Sequence, residues 1–184
     1  LNLVSKIKNI HIFVSTDNIK IKKYSEKFEI KSNYLRPKNL SGDKSLVVDA
    51  VLHALNWLKK EKNIHFDAVL MLQPTSPLRD LSEIIKAINK FKKKKLDSLI
   101  GVSLMKEHPY ECIKLKNNKW DYLERNNIKK SKGRQDYKKK YFFINGSFYM
   151  SKVSFLKKNR NFTVKNKTKI FVQKKTIPID IDTN

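Results

Sequence analysis

Short apolar runs alternate along this chain with stretches in which apolar residues recur every three or four positions. The runs predict strands, and the spaced pattern predicts helices. Residues 10–14 form the first run, and Asp17 is placed to cap a helix over residues 18–28. Residues 29–44 show little periodicity. Over residues 44–60, Leu46, Val47, Ala50, Val51, Ala54, Leu55 and Leu58 mark one face of a helix. Residues 67–72 predict the central strand of a sheet. Asp80 or Ser82 then caps a helix reaching Phe91, with Leu81, Ile84, Ile85 and Ile88 on its core face. A strand follows over residues 97–104. The alternation of strands and helices favours a parallel sheet.

The pattern changes over residues 105–141. Helical spacing is lost, and residues 111–115 and 119–123 flank Asn117-Asn118, which predicts a β-hairpin. Residues 141–150 return as an apolar strand broken by Asn145-Gly146. Residues 169–173 and 177–181 are the last short strands. There is no internal repeat and no glycine–serine linker, so residues 1–184 read as one domain with a β-rich insertion.

Composition narrows the function classes. The chain has 184 residues with 40% hydrophobic content, enough for a real core, and one cysteine, Cys112. One cysteine excludes an internal disulfide and fits a reducing, cytoplasmic setting. No run is long enough for a membrane helix, and the start lacks a signal-peptide pattern. The net charge is +24, which ordinarily suggests nucleic acid. Yet only Arg36, Arg79, Arg125, Arg134 and Arg160 are arginines, and the lysines are spread along the chain. Base and phosphate readers lean on the arginine fork. Solvation, or steering of anionic substrates, suits this pattern better than nucleic-acid binding.

Several residues could carry chemistry. Residues 72–79 read Leu-Gln-Pro-Thr-Ser-Pro-Leu-Arg. Pro74 and Pro77 stiffen the exit from a strand, and Gln73 stands where open α/β sheets bind ligands. This is either a binding loop or a proline-rich connector. Asp180 and Asp182 alternate along an extended segment, so both carboxylates share a face. They suit Mg²⁺ or form an acidic strand end in solvent. Gly146 lets a ligand or another backbone approach, Asn145 brings a donor and an acceptor, and the alternative is a β-bulge. Arg134, beside Gln135, could grip a carboxylate or phosphate with two bonds, or be an exposed loop arginine. The four histidines lack metal-ligand spacing, and no serine has a nucleophile-elbow setting.

Taken in order, these residues resemble the acylneuraminate cytidylyltransferases. The resemblance rests on Ser15-Thr16-Asp17, Arg36-Pro37 with Leu40 and Asp43, and residues 72–79. It continues through Arg134-Gln135-Asp136, Asn145-Gly146 with Phe148-Tyr149, and Asp180-Ile181-Asp182. It implies a Rossmann-like nucleotidyltransferase fold, with a mixed, mostly parallel sheet, flanking helices and a dimerisation arm in the insertion. It implies transfer of CMP from CTP to a nine-carbon 2-keto sugar acid, for cell-surface polysaccharide synthesis. By the same resemblance Asp180 and Asp182 hold Mg²⁺. Gln73, Arg134, Gln135 and Asn145 meet the sugar acid, and Arg36, Asp43 and Ser45 meet the nucleotide. The expected partners are CTP, an acidic sugar and a second copy, with no nucleic acid and no membrane. Phe143 stands where many relatives have a basic residue, which leaves the acid open. The family's opening glycine- and lysine-bearing phosphate loop and its closing helix have no counterpart here, so the chain resembles a domain lacking both ends, expected to be inactive alone. The alternatives are another sugar-acid cytidylyltransferase, for example one using an eight-carbon acid, and a basic nucleic-acid-binding protein.

Overall fold

Leu99, Ile100, Gly101 and Val102 lie in a strand buried at six of its seven positions, β2 (Ser98–Leu104). A run buried on both faces needs a strand on each side and a layer above and below. The computed structural model, which describes residues 1–124, 139–179 and 181, shows these neighbours. Two other strands are β1 (Ala68–Met71) and the long β5 (Phe142–Lys152), and a third is β6 (Lys169–Val172). The four-stranded sheet has the order β1-β5-β2-β6. β6 runs parallel to β2, and β5 runs antiparallel to both β1 and β2. β1, β2 and β6 therefore share one direction. β1, expected at the centre, is an edge of this sheet because the return strand β5 inserts between it and β2. An apolar run looks the same at either place, so periodicity could not order the strands.

The strands' two-residue alternation divides the core into two layers. On one face, α3 (Leu81–Lys93) sets Ile84, Ala87 and Phe91 against Leu99, Phe148 and Met150. On the other, α2 (Val47–Lys62) and α4 (Val153–Asn159) bring Val48 and Leu156 together with Phe162, Val69, Met71 and Tyr149. Each fully buried Val, Leu, Ile, Phe or Met side chain in these layers contributes about 1.5–3 kcal/mol. Ile85, expected on the core face of α3, points outward, and Ala87 takes the inner position. α4 was not anticipated; its seven residues span two turns, too few to show a period, and no side chain caps its start.

Helix starts follow local chemistry. Asn18, not Asp17, caps α1 (Ile19–Glu26), accepting from the Lys20 and Ile21 amides at 2.8 and 3.2 Å. Asp17 turns instead to Arg36, 3.4 Å away. Asp80 caps α3 by accepting from the Glu83 amide. The hairpin pairs β3 (Ile113–Lys116) with β4 (Lys119–Tyr122). Asn117 and Asn118 both have positive φ, 51° and 58°, as its two-residue turn requires.

Two expected strands make no ladder. Residues 10–14 carry no strand pairing among the described residues; Phe13 packs its ring between Tyr34 and Trp57 instead. Residues 177–179 are likewise outside the sheet. Pro178 has no N–H to give a ladder. The segment nevertheless lies against the 72–79 loop: the Ile177 amide donates to Leu78 O at 3.2 Å and the Ile181 amide to Thr75 O at 2.8 Å. No described helix is long and apolar enough to cross a membrane.

Candidate active site

Because β1, β2 and β6 are parallel, their carboxyl ends open on one edge of the sheet, where ligands bind in such folds. The 72–79 loop leaves β1 there, and Gln173 follows β6. β5 enters at the same edge and is immediately irregular. Ile100 pairs with Tyr149 but Val102 pairs with Ile144, so two steps along β2 correspond to five along β5. The extra residues form a bulge, which re-aims a strand beside a site. Gly146 sits in it at φ +69°. A Cβ there would meet Ser76 Oγ at 3.0 Å and Gln73 Oε1 at 3.7 Å. The close approach expected of Gly146 is thus made first by the 72–79 loop.

Asn145 and Gln73, two of the four residues expected at the sugar acid, come together here in different states. Asn145 is buried. Its Nδ2 donates to Ser103 Oγ at 2.8 Å and to Gln173 Oε1 at 2.9 Å, while its Oδ1 accepts from the Ser147 amide at 3.1 Å. One lone pair of Oδ1 remains. Asn145 therefore shapes the bulge from within. The Gln73 side chain is half-buried and makes no hydrogen bond to a described residue, so its amide is uncommitted at the edge of the crevice.

Arg79 ties loop and bulge together. Its Nε donates to Ser147 O and its Nη2 to Gln73 O. Burial brings its pKa down to about 10. A charge-assisted donor spanning two backbone carbonyls is a staple, so the polar octet is both connector and loop wall.

A buried carboxylate, Glu83, underlies the same edge. Glu83 stands three residues after the cap Asp80, the spacing of a capping box. It does not reach back to Asp80. Its Oε1 accepts from the Lys174 amide at 2.6 Å and the Lys175 amide at 3.1 Å. Its Oε2 accepts from the Thr176 amide at 3.0 Å and Thr176 Oγ1 at 2.9 Å. Thr176 Oγ1 in turn accepts from the Asp80 amide. Burial alone would raise the Glu83 pKa, but the three amides and the hydroxyl outweigh it and hold the carboxyl below its ordinary value. Glu83, Gln173 and Thr176 escaped the sequence reading. The capping-box spacing marks Glu83, but it points to the wrong partner.

The residues expected at the nucleotide gather elsewhere. The Arg36 amide donates to Thr16 O at 2.8 Å, and Arg36 Nε donates to Ser41 Oγ at 3.1 Å, which joins the Ser15-Thr16-Asp17 and Arg36-Pro37 motifs. Ser45 Oγ donates to Asn39 O at 3.1 Å, and Asp43 is exposed. Leu46 gives the start of α2 no side-chain acceptor. Among the described residues no hydrogen bond links this group to Gln73 or Asn145. Arg134, Gln135, Asp180 and Asp182 lie outside the described residues. No group of three His, Cys, Asp or Glu suited to a metal occurs among the described residues. The donor chemistry of Asp180 and Asp182 fits a hard cation, and Ile181 between them is tied to Thr75 O in the loop after β1.

No protein-family model matches the chain. Five curated proteins do, three of which follow. Post-translational flagellin modification protein B of Campylobacter coli is 29% identical over 178 residues, covering 94% of this chain and 72% of that protein. The CMP-N,N'-diacetyllegionaminic acid synthase of Legionella pneumophila is 27% identical, with 94% and 72% covered. The pseudaminic acid cytidylyltransferase of Campylobacter jejuni is 26% identical, again with 94% and 72% covered. Among solved structures, a CMP:2-keto-3-deoxy-manno-octonic acid synthetase complexed with CTP superposes with a TM-score of 0.61 at 10% identity. It covers 94% of this chain and 76% of that one, and shows the fold. With this fold, these relatives along nearly its whole length and the ordered motifs in between, the chain is similar to the CMP-nonulosonate cytidylyltransferases and has a nucleotidyltransferase fold.

Proposed function

We propose that the protein transfers CMP from CTP to a nine-carbon 2-keto sugar acid, releasing pyrophosphate. The anomeric hydroxyl of the acid attacks the α-phosphate. Such chemistry rests on positioning and charge neutralisation rather than on a covalent enzyme group. The observation that carries this reading is the uncommitted Gln73 amide beside Gly146, at the shared carboxyl edge of β1, β2 and β6. Gln73 gives the sugar a donor and an acceptor. Asn145 holds the bulge and offers its remaining Oδ1 lone pair. Arg134, with Gln135, grips the sugar carboxylate. Arg36, Asp43 and Ser45 meet the nucleotide. Mg²⁺ bound by Asp180 and Asp182 supplies positive charge against the phosphates. The legionaminic and pseudaminic acids in two relatives' names favour a nonulosonic acid over an eight-carbon one.

The test is pyrophosphate release by the full-length protein with CTP and a panel of sugar acids. We expect a nine-carbon acid to give the highest kcat/KM. An eight-carbon acid turned over faster overturns the assignment. In the same assay, Asp182→Asn lowers turnover by about a hundredfold, the scale of losing a key electrostatic group. Near-normal turnover at saturating Mg²⁺ removes Asp182 from the metal site.

We also propose that the β3–β4 hairpin docks on a second copy of the chain. Leu115 pairs with Trp120 across the hairpin, and the two are 72% and 58% exposed. An exposed apolar pair on an isolated two-stranded element needs a cover.

A further inference from the structure

Four buried side chains connect α3 to the bulge in β5. The Thr176 hydroxyl donates to Glu83 Oε2 and accepts from Gln173 Nε2 at 2.7 Å. Gln173 Oε1 then accepts from Asn145 Nδ2 and from Ser147 Oγ. The polarity of this chain is set at both ends, by the Glu83 carboxylate and by the Ser147 amide, which can only donate. An ionised carboxylate only accepts, so the Thr176 hydroxyl hydrogen must point to Glu83. Its oxygen then faces Gln173 as an acceptor and requires the Nε2 side of that amide. Gln173 must present Oε1 to the bulge, which requires the Nδ2 side of Asn145. Asn145 Oδ1 is left for the Ser147 amide. Each amide could be turned over at little steric cost, but not without setting like groups against each other.

We propose that Glu83 is a positioning residue for the substrate site: through Thr176 it fixes which way the Gln173 amide faces, and Gln173 then braces the Asn145 amide from the side opposite the Ser147 N–H and so holds the shape of the Asn145–Gly146 bulge. This rests on the reading of that bulge as the sugar-acid site. Glu83 itself touches no substrate. Its three backbone contacts also hold the turn that runs on to Ile177 and Ile181 beside the 72–79 loop. A single carboxylate thereby sets both walls of the crevice.

Glu83→Gln keeps the shape but brings an NH₂ group into a site lined by donors, so it reverses the polarity of the relay. Thr176→Val keeps the size of residue 176 and leaves the Glu83 backbone contacts, but removes the hydroxyl link. The full-length protein is assayed with CTP and the nine-carbon acid, and Asn145 and Gln173 side-chain amides are followed by ¹⁵N NMR. We expect both variants to raise the KM for the sugar acid about tenfold, the effect of one lost hydrogen bond to a charged group. The KM for CTP stays within about twofold, since no bond of the relay reaches the Arg36 group. Thr176→Ser recovers most of the loss. The Asn145 amide resonances shift in Glu83→Gln and Thr176→Val. Equal rises in both KM values with Asn145 unshifted, or an unchanged sugar-acid KM, overturn the proposal. If Glu83→Gln does not fold, Thr176→Val decides by the same criteria. If the unmutated protein uses no nine-carbon acid, the functional reading fails separately. The NMR arm then decides the relay alone: a shifted Asn145 amide upholds it and an unshifted one overturns it.

Discussion

Single atoms decide the shape of the candidate site. Gly101 lies in the buried centre of β2, and a Cβ there would stand 2.4 Å from Gln173 Oε1 and 2.7 Å from Ser147 Oγ. Those atoms are held in the relay and cannot yield without losing hydrogen bonds. Gly101→Ala is therefore expected to destabilise the fold by about 1–3 kcal/mol, the range for an overpacked core, as measured by denaturant midpoint. Glu83 gives a second residue-scale expectation. Its folded pKa lies below the ordinary value of 4.5, so the unfolded chain takes up its proton first as pH falls. The stability contributed by Glu83 is complete above about pH 4.5 and is lost as pH drops through the folded value. Denaturation midpoints from pH 7 to pH 3 should fall more steeply for the unmutated protein than for Glu83→Gln. Parallel curves would refute the assigned sign.

Elements place these residues, and their local chemistry was partly legible. Asn117-Asn118 in the hairpin turn follows from residue type alone, whereas residue type narrows the cap of α3 to Asp80 or Ser82, of which Asp80 takes the Glu83 amide. Edges were less legible where two residues compete, as Asp17 and Asn18 do for the start of α1; Asn18 takes the amides once Asp17 is drawn to Arg36. The hairpin carries the prediction at this scale. If Leu115 and Trp120 meet a second copy, Leu115→Lys with Trp120→Glu should convert a dimer to a monomer in sedimentation velocity, with the far-ultraviolet spectrum unchanged. A dimer that survives both changes removes the hairpin from the interface.

At the scale of the whole molecule, a net charge of +24 attracts every polyanion. Attraction carried mainly by lysines spread along the chain is long-range and unspecific. We expect RNA binding measured by fluorescence anisotropy to weaken at least about a hundredfold between 50 and 200 mM salt, without sequence preference. A sequence-selective affinity that persists at the higher salt favours the nucleic-acid reading instead.

What can be read along the chain is local: the types of most core elements, a choice of two residues for the cap of α3, the hairpin turn, and the ordered motifs that carry the family resemblance. Hydrophobic spacing and turn chemistry act over a few residues, so they can be read there. The tertiary structure alone decided that β5 lies between β1 and β2. It alone turned the Asp80–Glu83 spacing away from a capping box, toward amides 91 to 93 residues further on. The same closure left Gln73 open to the crevice and buried Asn145 in a relay. A polar side chain's partner depends on which distant backbone groups arrive unsatisfied beside it. That is set only when β6 docks on β2 and carries residues 173–176 over the start of α3.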